Sequence, residues 1–451
     1  MSTPPYPLHV RRGHWLTGWL AAFRTDRLGL LMAHARHGPI VRFRLGFKTL
    51  YFLSDPDLVQ EMLVTQHRHL GREPMLRAVL ARTMGNGLLT SDGAYWQRQR
   101  RMLAPAFHRS RVQRAADLMV AHAAALTAHW QDGEERDLER EMDRLTLSIV
   151  TAALFRIDSA AQADTVARVI TALQAIGNRE LGRLIRLPNW IPTPDHRTQR
   201  RLSRQLRDIV MAGIDARRRS GDAGDDLLSI LLDSVDAETG ARMTDAQICD
   251  EVITLYLAGY DTTALTLSFC WYELARNPAI AARLHAELDA VLPARRPTLA
   301  DLDRLPYTRM LFNEALRLYP PAYFLIRQVV RPVQIGGHPI RPGAILITSP
   351  YVMHRHPAYW DEPERFHPER FADHAERGWH RYRYFPFGGG PRVCIGNQFA
   401  LLEGPLILAT IARSYRFELR EPGWQVQLEP QITLGPQGGM PLRLRRRTAT
   451  V

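Results

Sequence analysis

FPFGGGPRVCIG, residues 385–396, runs directly into the apolar stretch NQFALLEGPLILATIARSYRF, residues 397–417, so a cysteine sits where a glycine-rich turn enters a helix. Unpaired backbone N–H groups and the positive end of the helix dipole at such a position favour thiolate over thiol. Thiolate is the form that ligates a metal. Gly388, Gly389, Gly390 and Gly396 are expected to adopt backbone conformations closed to other residues and to let the chain approach a flat group closely. The alternative for Cys394 taken alone is a buried structural thiol beside a glycine turn. Further along, Gly404-Pro405 removes a helical hydrogen bond and predicts a bend.

Around this stretch the chain has 451 residues, 45% of them apolar, enough to bury a large core. No repeat or low-complexity linker divides it, and residues 1–451 are read as a single domain. The net charge is +13, and the basic residues are arginines except for Lys48. They are scattered, apart from the tail Arg443, Arg445, Arg446 and Arg447. Such a balance suits an acidic protein partner, an anionic membrane surface or nucleic acid, and the lack of any zinc-finger or RNP module argues against the last. The three cysteines, Cys249, Cys270 and Cys394, have neither disulfide nor zinc spacing, which points to a reducing cytoplasm. Arg24, Asp26 and Arg27 interrupt the N-terminal apolar residues before a membrane span is reached, so no transmembrane anchor is expected. Trp15, Leu16, Trp19 and Leu20 are read as an amphipathic stretch packed on its own domain rather than in a membrane interface.

Residues 40–53 alternate apolar and polar around Gly46 and predict a β-hairpin, after which Asp55-Pro56 starts a helix. Helical patterns dominate residues 92–320, with breaks expected near Gly177, Pro188–Pro194 and Gly221–Gly224. One segment, from Thr244 as N-cap to Pro278 as stop, predicts a helix of about 48 Å at roughly 1.5 Å per residue. Beyond residue 325 come short strands, a Pro-rich meander at 357–391, one more helix and terminal strands.

Three further constellations stand out. Glu314 and Arg317 lie one helical turn apart and can bridge on one face, though such pairs are common on solvated helices. Ala258-Gly-Tyr-Asp-Thr-Thr263 puts polar residues and a glycine midway along the long apolar helix, where a locally opened turn marks function. Its bland reading is a threonine bonding its own i−4 carbonyl and an aspartate in a surface ion pair. Trp96 and Arg100 share a helix face. His67, His69, His354 and His356 have no carboxylate or cysteine at zinc-like spacing, and His354-Arg-His356 is read as structural.

Phe387, Gly390, Arg392, Cys394 and Gly396 match the F-x-x-G-x-R-x-C-x-G pattern, and the chain resembles the cytochrome P-450 family from the hairpin at 40 to the terminal strands. The resemblance implies a mainly α, prism-like haem domain with a small β region, and heme b (iron protoporphyrin IX) with Cys394 as axial ligand. It makes Trp96, Arg100, Arg392 and Arg327 candidates for the propionates, with Phe387 and Gly396 in the cysteine loop. It makes Ala258 and Gly259 the small residues that leave room for dioxygen, Thr262 the hydroxyl that contacts it and Asp261 the proton supplier. Glu314 and Arg317, with Arg370 from Phe366-His-Pro-Glu-Arg-Phe371, become a buried network holding the cysteine loop.

The implied activity is monooxygenation of a lipophilic small molecule by dioxygen. Since no flavin or iron–sulfur module is left over, electrons would come from a ferredoxin or flavodoxin with its reductase. Arg98 and Arg101 are read as surface residues and, with Arg381 and Arg383, as a docking patch. Apolar pocket walls are expected at Met75–Leu89, Leu181–Pro192, Leu255–Tyr260, Pro321–Ile326 and Ile432–Leu434. EALRLYPPAYFLIRQ and FALLEGPLIL resemble a thermophilic carotene-hydroxylating branch of the family, favouring a terpenoid, carotenoid or fatty-acyl substrate. A hydrogen-peroxide-dependent peroxygenase, a non-oxidative isomerase or dehydratase, and a haem-binding sensor or silent partner protein are the alternatives. The Asp261–Thr262 pair argues against the first two.

Overall fold

The apolar segments 40–53 and 345–348, buried on both faces over most of their length, explain how the β region is built. In this computed structural model, which describes residues 6–155, 160–182, 191–220, 226–293 and 295–447, these segments lie inside a six-stranded sheet. The strand order is Leu8–Val10, Ile40–Leu45, Lys48–Leu53, Ile345–Thr348, Leu325–Val329 and Leu70–Gly71. Ile40–Leu45 and Lys48–Leu53 form the expected antiparallel hairpin, turning at Gly46 with φ +57°. Ile40, Leu53 and Leu346 bury one sheet face, while Val41, Phe43, Leu50, Phe52, Ile345 and Ile347 bury the other. Successive side chains therefore serve two apolar layers. The helix at Pro56 starts as expected, with the Asp55 carboxylate capping Asp57 N at 2.9 Å.

The chain divides into two compact units. One comprises residues 1–77, 313–394 and 429–435; the other comprises 78–312, 395–428 and 436–451. The sheet belongs to the first. The second is centred on the helix Asp245–Arg276, whose start carries a complete capping box between Thr244 and Gln247. Against it pack the helices Leu138–Phe155 and Asn397–Ala412, and Val150, Val169, Leu206, Val252 and Tyr256 contribute to the same apolar cluster.

Several expectations need correction. Helix Ala160–Gly182 passes through Gly177 without a break, because a helix packed on neighbours tolerates the roughly 1 kcal/mol a glycine costs. Of the other two breaks, Gly221–Gly224 and residues 188–190 lie outside the described residues, as does most of the pocket wall Leu181–Pro192, while residues 191–193 are non-helical ahead of helix Pro194–Ser220. Helix Asn397–Ala412 is continuous through Pro405, and Gly404 is explained by packing: a Cβ there would lie 2.2 Å from the Phe312 ring. Trp15 and Leu16 are not packed on the protein; Trp15 is 80% exposed. No helix among the described residues is long and apolar enough to cross a membrane.

Candidate active site

The segment carrying Cys394 is tied, through His354, to one buried arginine. Arg317 is fully buried and uses all five of its N–H donors. Nε and Nη2 hold the two oxygens of Glu314 at 2.7 and 2.8 Å, and the remaining bonds reach the carbonyls of His354, Pro363 and Arg365 at 2.7, 2.7 and 3.0 Å. Glu314 also accepts from His367 N at 2.8 Å, and Arg370 approaches it at 3.5 Å. The expected network is therefore present, with a further member. His354 Nε2 accepts from Phe385 N at 2.9 Å, which leaves the proton on Nδ1 to donate to the Arg317 carbonyl at 3.2 Å. Burial and the Arg317 charge hold His354 well below the usual imidazole range, so the ring stays neutral and bridges. Phe385 opens the loop that ends at Cys394.

Within that loop, Cys394 N donates to Phe387 O at 3.0 Å and Val393 N to Gly390 O at 3.1 Å. The Cys394 residue is exposed, whereas Cys249 and Cys270 are buried. Only two of the four loop glycines need positive φ: Gly388 at +71° and Gly390 at +64°. A Cβ on Gly390 would also sit 1.9 Å from Leu63 O. Gly389 is extended, and it is small because the Tyr382 ring lies where its Cβ would be. Gly396 has φ −88° and serves as the N-cap of Asn397–Ala412. Phe387 and Arg392 are half-buried, and Arg327 Nη1 donates to Ile326 O at 2.8 Å on strand Leu325–Val329.

In the other unit, the long helix is buried almost continuously from Ile248 to Leu274, but Ala258 is exposed and Leu257, Gly259 and Thr262 are half-buried. Ala258 and Thr262, four residues apart, open one face of an otherwise sealed helix. Gly259 is turned elsewhere: a Cβ there would meet Val150 at 3.3 Å, so this glycine serves packing against Leu138–Phe155. The helix is continuous through the motif, without the opened turn expected, and the Thr262 hydroxyl donates to Ala258 O at 3.1 Å. Asp261 is buried, not in a surface ion pair. Its Oδ1 accepts from Gln174 Nε2 at 2.6 Å, and Gln174 Oε1 accepts from the Tyr260 hydroxyl.

Sequence reasoning missed this amide clamp, since nothing in the spacing connects residues 174 and 261. It also missed two buried acids. Burial, then the nearby Asp261 charge, raises Asp143 well above the usual carboxylate range, and its buried Oδ1 has no hydrogen-bond partner among the described residues. Burial pushes Glu403 up to about 8, against a smaller lowering by the Thr263 hydroxyl. A lone glutamate within FALLEGPLIL was the available signal for the second.

Trp96 is buried and Arg100 half-buried on helix Gly93–Leu103, sharing the expected face. Arg98 is half-buried, with Nε enclosed. Arg101 is held by Asp236 at 3.2 Å and Glu238 at 2.8 Å, and Arg383 stacks between Trp360 and Trp379 at 4.5 Å from each ring. Of the four expected docking arginines, Arg381 alone is exposed without such packing or ion pairing. Groups of His, Cys, Asp or Glu able to hold a metal ion by themselves are absent among the described residues.

The donor set fits haem: an accessible thiol on a doubly pinned loop, with arginines and an indole N–H of the kind that meet propionates. The family model described as cytochrome P450 matches residues 8–442. The chain is 38% identical to cyclooctatin synthase of Streptomyces melanosporofaciens, covering 93% of this chain and 91% of that one. It is 34% identical to pentalenene oxygenase of Streptomyces avermitilis, covering 93% of each. Among solved structures, a cytochrome P450DA heme domain superposes with a TM-score of 0.85 at 27% identity, covering 98% of this chain and 99% of that one. The alignment spans nearly the whole chain, and the mainly α fold with small sheets agrees with it. The protein belongs to the cytochrome P450 family and is a haem-dependent monooxygenase.

Proposed function

We propose that this enzyme oxygenates an apolar terpenoid, with heme b ligated by the Cys394 thiolate and electrons delivered by an acidic ferredoxin or flavodoxin. The observation that carries the reading is the accessible Cys394 on a loop held by Arg317 and His354. Relatives named for cyclooctatin and pentalenene support the substrate class. Haem bound there supplies reductive activation of dioxygen, placing one oxygen atom on substrate and releasing the other as water. The whole chain serves as one catalytic domain, consistent with its repeated passage between the two units.

The residues divide the work. Cys394 donates electron density through sulfur. Arg100, Arg392 and Arg327 would neutralise and orient the propionates, the Trp96 indole N–H would donate to them, and Phe387, Gly396 and Ala258 would shape the cofactor's surroundings. Thr262 turns its hydroxyl from Ala258 O toward dioxygen. Asp261 moves the proton, its carboxylate aimed by Gln174 and Tyr260. Burial, and then the neighbouring Asp261 charge, raise Asp143 well above the usual carboxylate range and so favour its protonated form beside Asp261.

A screen of cyclic terpenes for the spin-state shift of the haem spectrum tests the substrate class. Shifts confined to fatty acids would contradict it. Thr262→Ala is expected to bind haem and substrate normally while diverting reducing equivalents to peroxide, lowering product per reduced nicotinamide by roughly tenfold or more. Gln174→Leu should give an intermediate loss through a misaimed Asp261. Unchanged coupling in Thr262→Ala would reduce that residue to a helix component bonded to Ala258.

The carrier proposal is tested at Arg381. Arg381→Glu should slow reduction several-fold at low salt and not at high salt, since exposed charges are screened beyond about 10 Å at roughly 0.1 M. Stopped-flow reduction rates equal to wild type at low salt would exclude this residue. Arg101 is unsuited to the test, because its reversal would leave the enclosed Asp236 carboxylate facing another anion.

A further inference from the structure

Two neighbouring turns of the sheet unit present large apolar side chains to solvent. Trp15 is 80% and Leu16 45% exposed on the turn His14–Gly18, and Phe47 is 87% exposed at the tip of the hairpin 40–53. The turns are locked together. His14 and Gly18 exchange two backbone hydrogen bonds at 3.0 and 2.8 Å, Trp19 N donates to Arg44 O at 2.8 Å, and Gly46 N donates to Thr17 O at 2.9 Å. Gly18 has φ +61°, and a Cβ on it would lie 2.2 Å from Arg44 O, so the close approach demands glycine. Trp19, by contrast, is turned inward, with the Arg11 guanidinium 4.4 Å above its ring. Trp15, Leu16 and Phe47 are thus held outward by a rigid backbone instead of collapsing onto the sheet.

The surroundings are strongly cationic. Residues 8–53 contain eight arginines and lysines, Arg11, Arg12, Arg24, Arg27, Arg36, Arg42, Arg44 and Lys48, against one carboxylate, Asp26. Asp26 is occupied in capping Gly29 N at 2.8 Å. Arg12, Arg24, Arg42 and Arg44 are exposed, whereas Lys48 is ion-paired with the buried Glu73. Aromatic tips on a segment rich in exposed arginines match an anionic lipid interface, where tryptophan sits at headgroup depth and arginines meet phosphate. A folded protein partner usually needs a face of about 800 Å² with complementary shape, which two protruding turns do not offer.

We infer that the paired turns 14–18 and 44–48 dock this enzyme reversibly on an anionic bilayer. A lipophilic substrate partitions into such a phase, so docking raises its local concentration. The inference does not rest on the assignment of any haem-site residue.

Co-sedimentation with vesicles tests it, comparing phosphatidylglycerol–phosphatidylcholine mixtures with phosphatidylcholine alone at low and high salt. Wild type should bind the anionic vesicles at low salt and lose most of that binding at high salt. Trp15→Ser with Phe47→Ser should weaken partitioning by roughly tenfold or more, and Arg12→Gln with Arg42→Gln should remove the salt-sensitive part. Both pairs lie at exposed positions, and an unchanged haem spectrum will confirm the fold. Wild type that stays in the supernatant with anionic vesicles, or a Trp15/Phe47 variant that binds like wild type, overturns the inference. Slower reduction by an acidic carrier in that variant, without vesicle binding by wild type, assigns the turns to a protein partner and overturns it equally.

Discussion

Cys394→Ala is expected to abolish oxygenation and to remove the red-shifted Soret band of the reduced carbon monoxide complex, whereas Cys249→Ala and Cys270→Ala keep both. The contrast follows from environment. Burial pushes the Cys249 thiol up to about 11 and holds Cys270 well above its usual value, so both stay protonated and inert as ligands. Cys394 is the exposed cysteine, two residues before the N-cap of Asn397–Ala412. Difference spectra of the three purified variants check this, and retention of the band in Cys394→Ala would assign the ligand elsewhere.

Arg317→Ala should yield protein that is largely unfolded or unable to retain haem. Its removal leaves the fully buried Glu314 carboxylate without its bidentate partner and strips donors from three carbonyls. Breaking a buried pair this way costs about 3–5 kcal/mol, a large share of the roughly 5–15 kcal/mol that typically separates folded from unfolded chains. Arg317→Lys should fare little better, since an ammonium has three donors where this site uses five. Glu314→Gln should be milder but still destabilising. Haem content and thermal midpoint, measured together, separate these outcomes; an Arg317→Lys protein with wild-type haem content would show that the fork geometry is dispensable.

What the sequence revealed and concealed follows from the range of the interactions. The cysteine loop, the hairpin at 40–53 and the capped helix 245–276 are encoded by local patterns: glycine spacing, period-two alternation, and Thr244 with Gln247. The Glu314–Arg317 pair was legible too, being one helical turn long. The partners that give these residues their character were not. Gln174 meets Asp261 across 87 positions, and His354 meets Phe385 across 31, with no periodic signal for either. Small residues proved equally ambiguous. Gly259 serves helix packing and Gly389 makes room for Tyr382, although both were read as making space for the cofactor or dioxygen. Exposure was misjudged where turn geometry decides it: Trp15 and Trp19 are four residues apart, yet backbone bonds to the neighbouring strand hold Trp15 out and Trp19 in.

Every role proposed for the site residues depends on haem carried by the Cys394 thiolate. The most direct measurement is the absorption spectrum of the purified, dithionite-reduced wild-type protein under carbon monoxide. A strongly red-shifted Soret band that disappears in Cys394→Ala is the predicted result. A band of the imidazole-ligated kind in folded wild-type protein, or a red-shifted band that survives in Cys394→Ala, would contradict it.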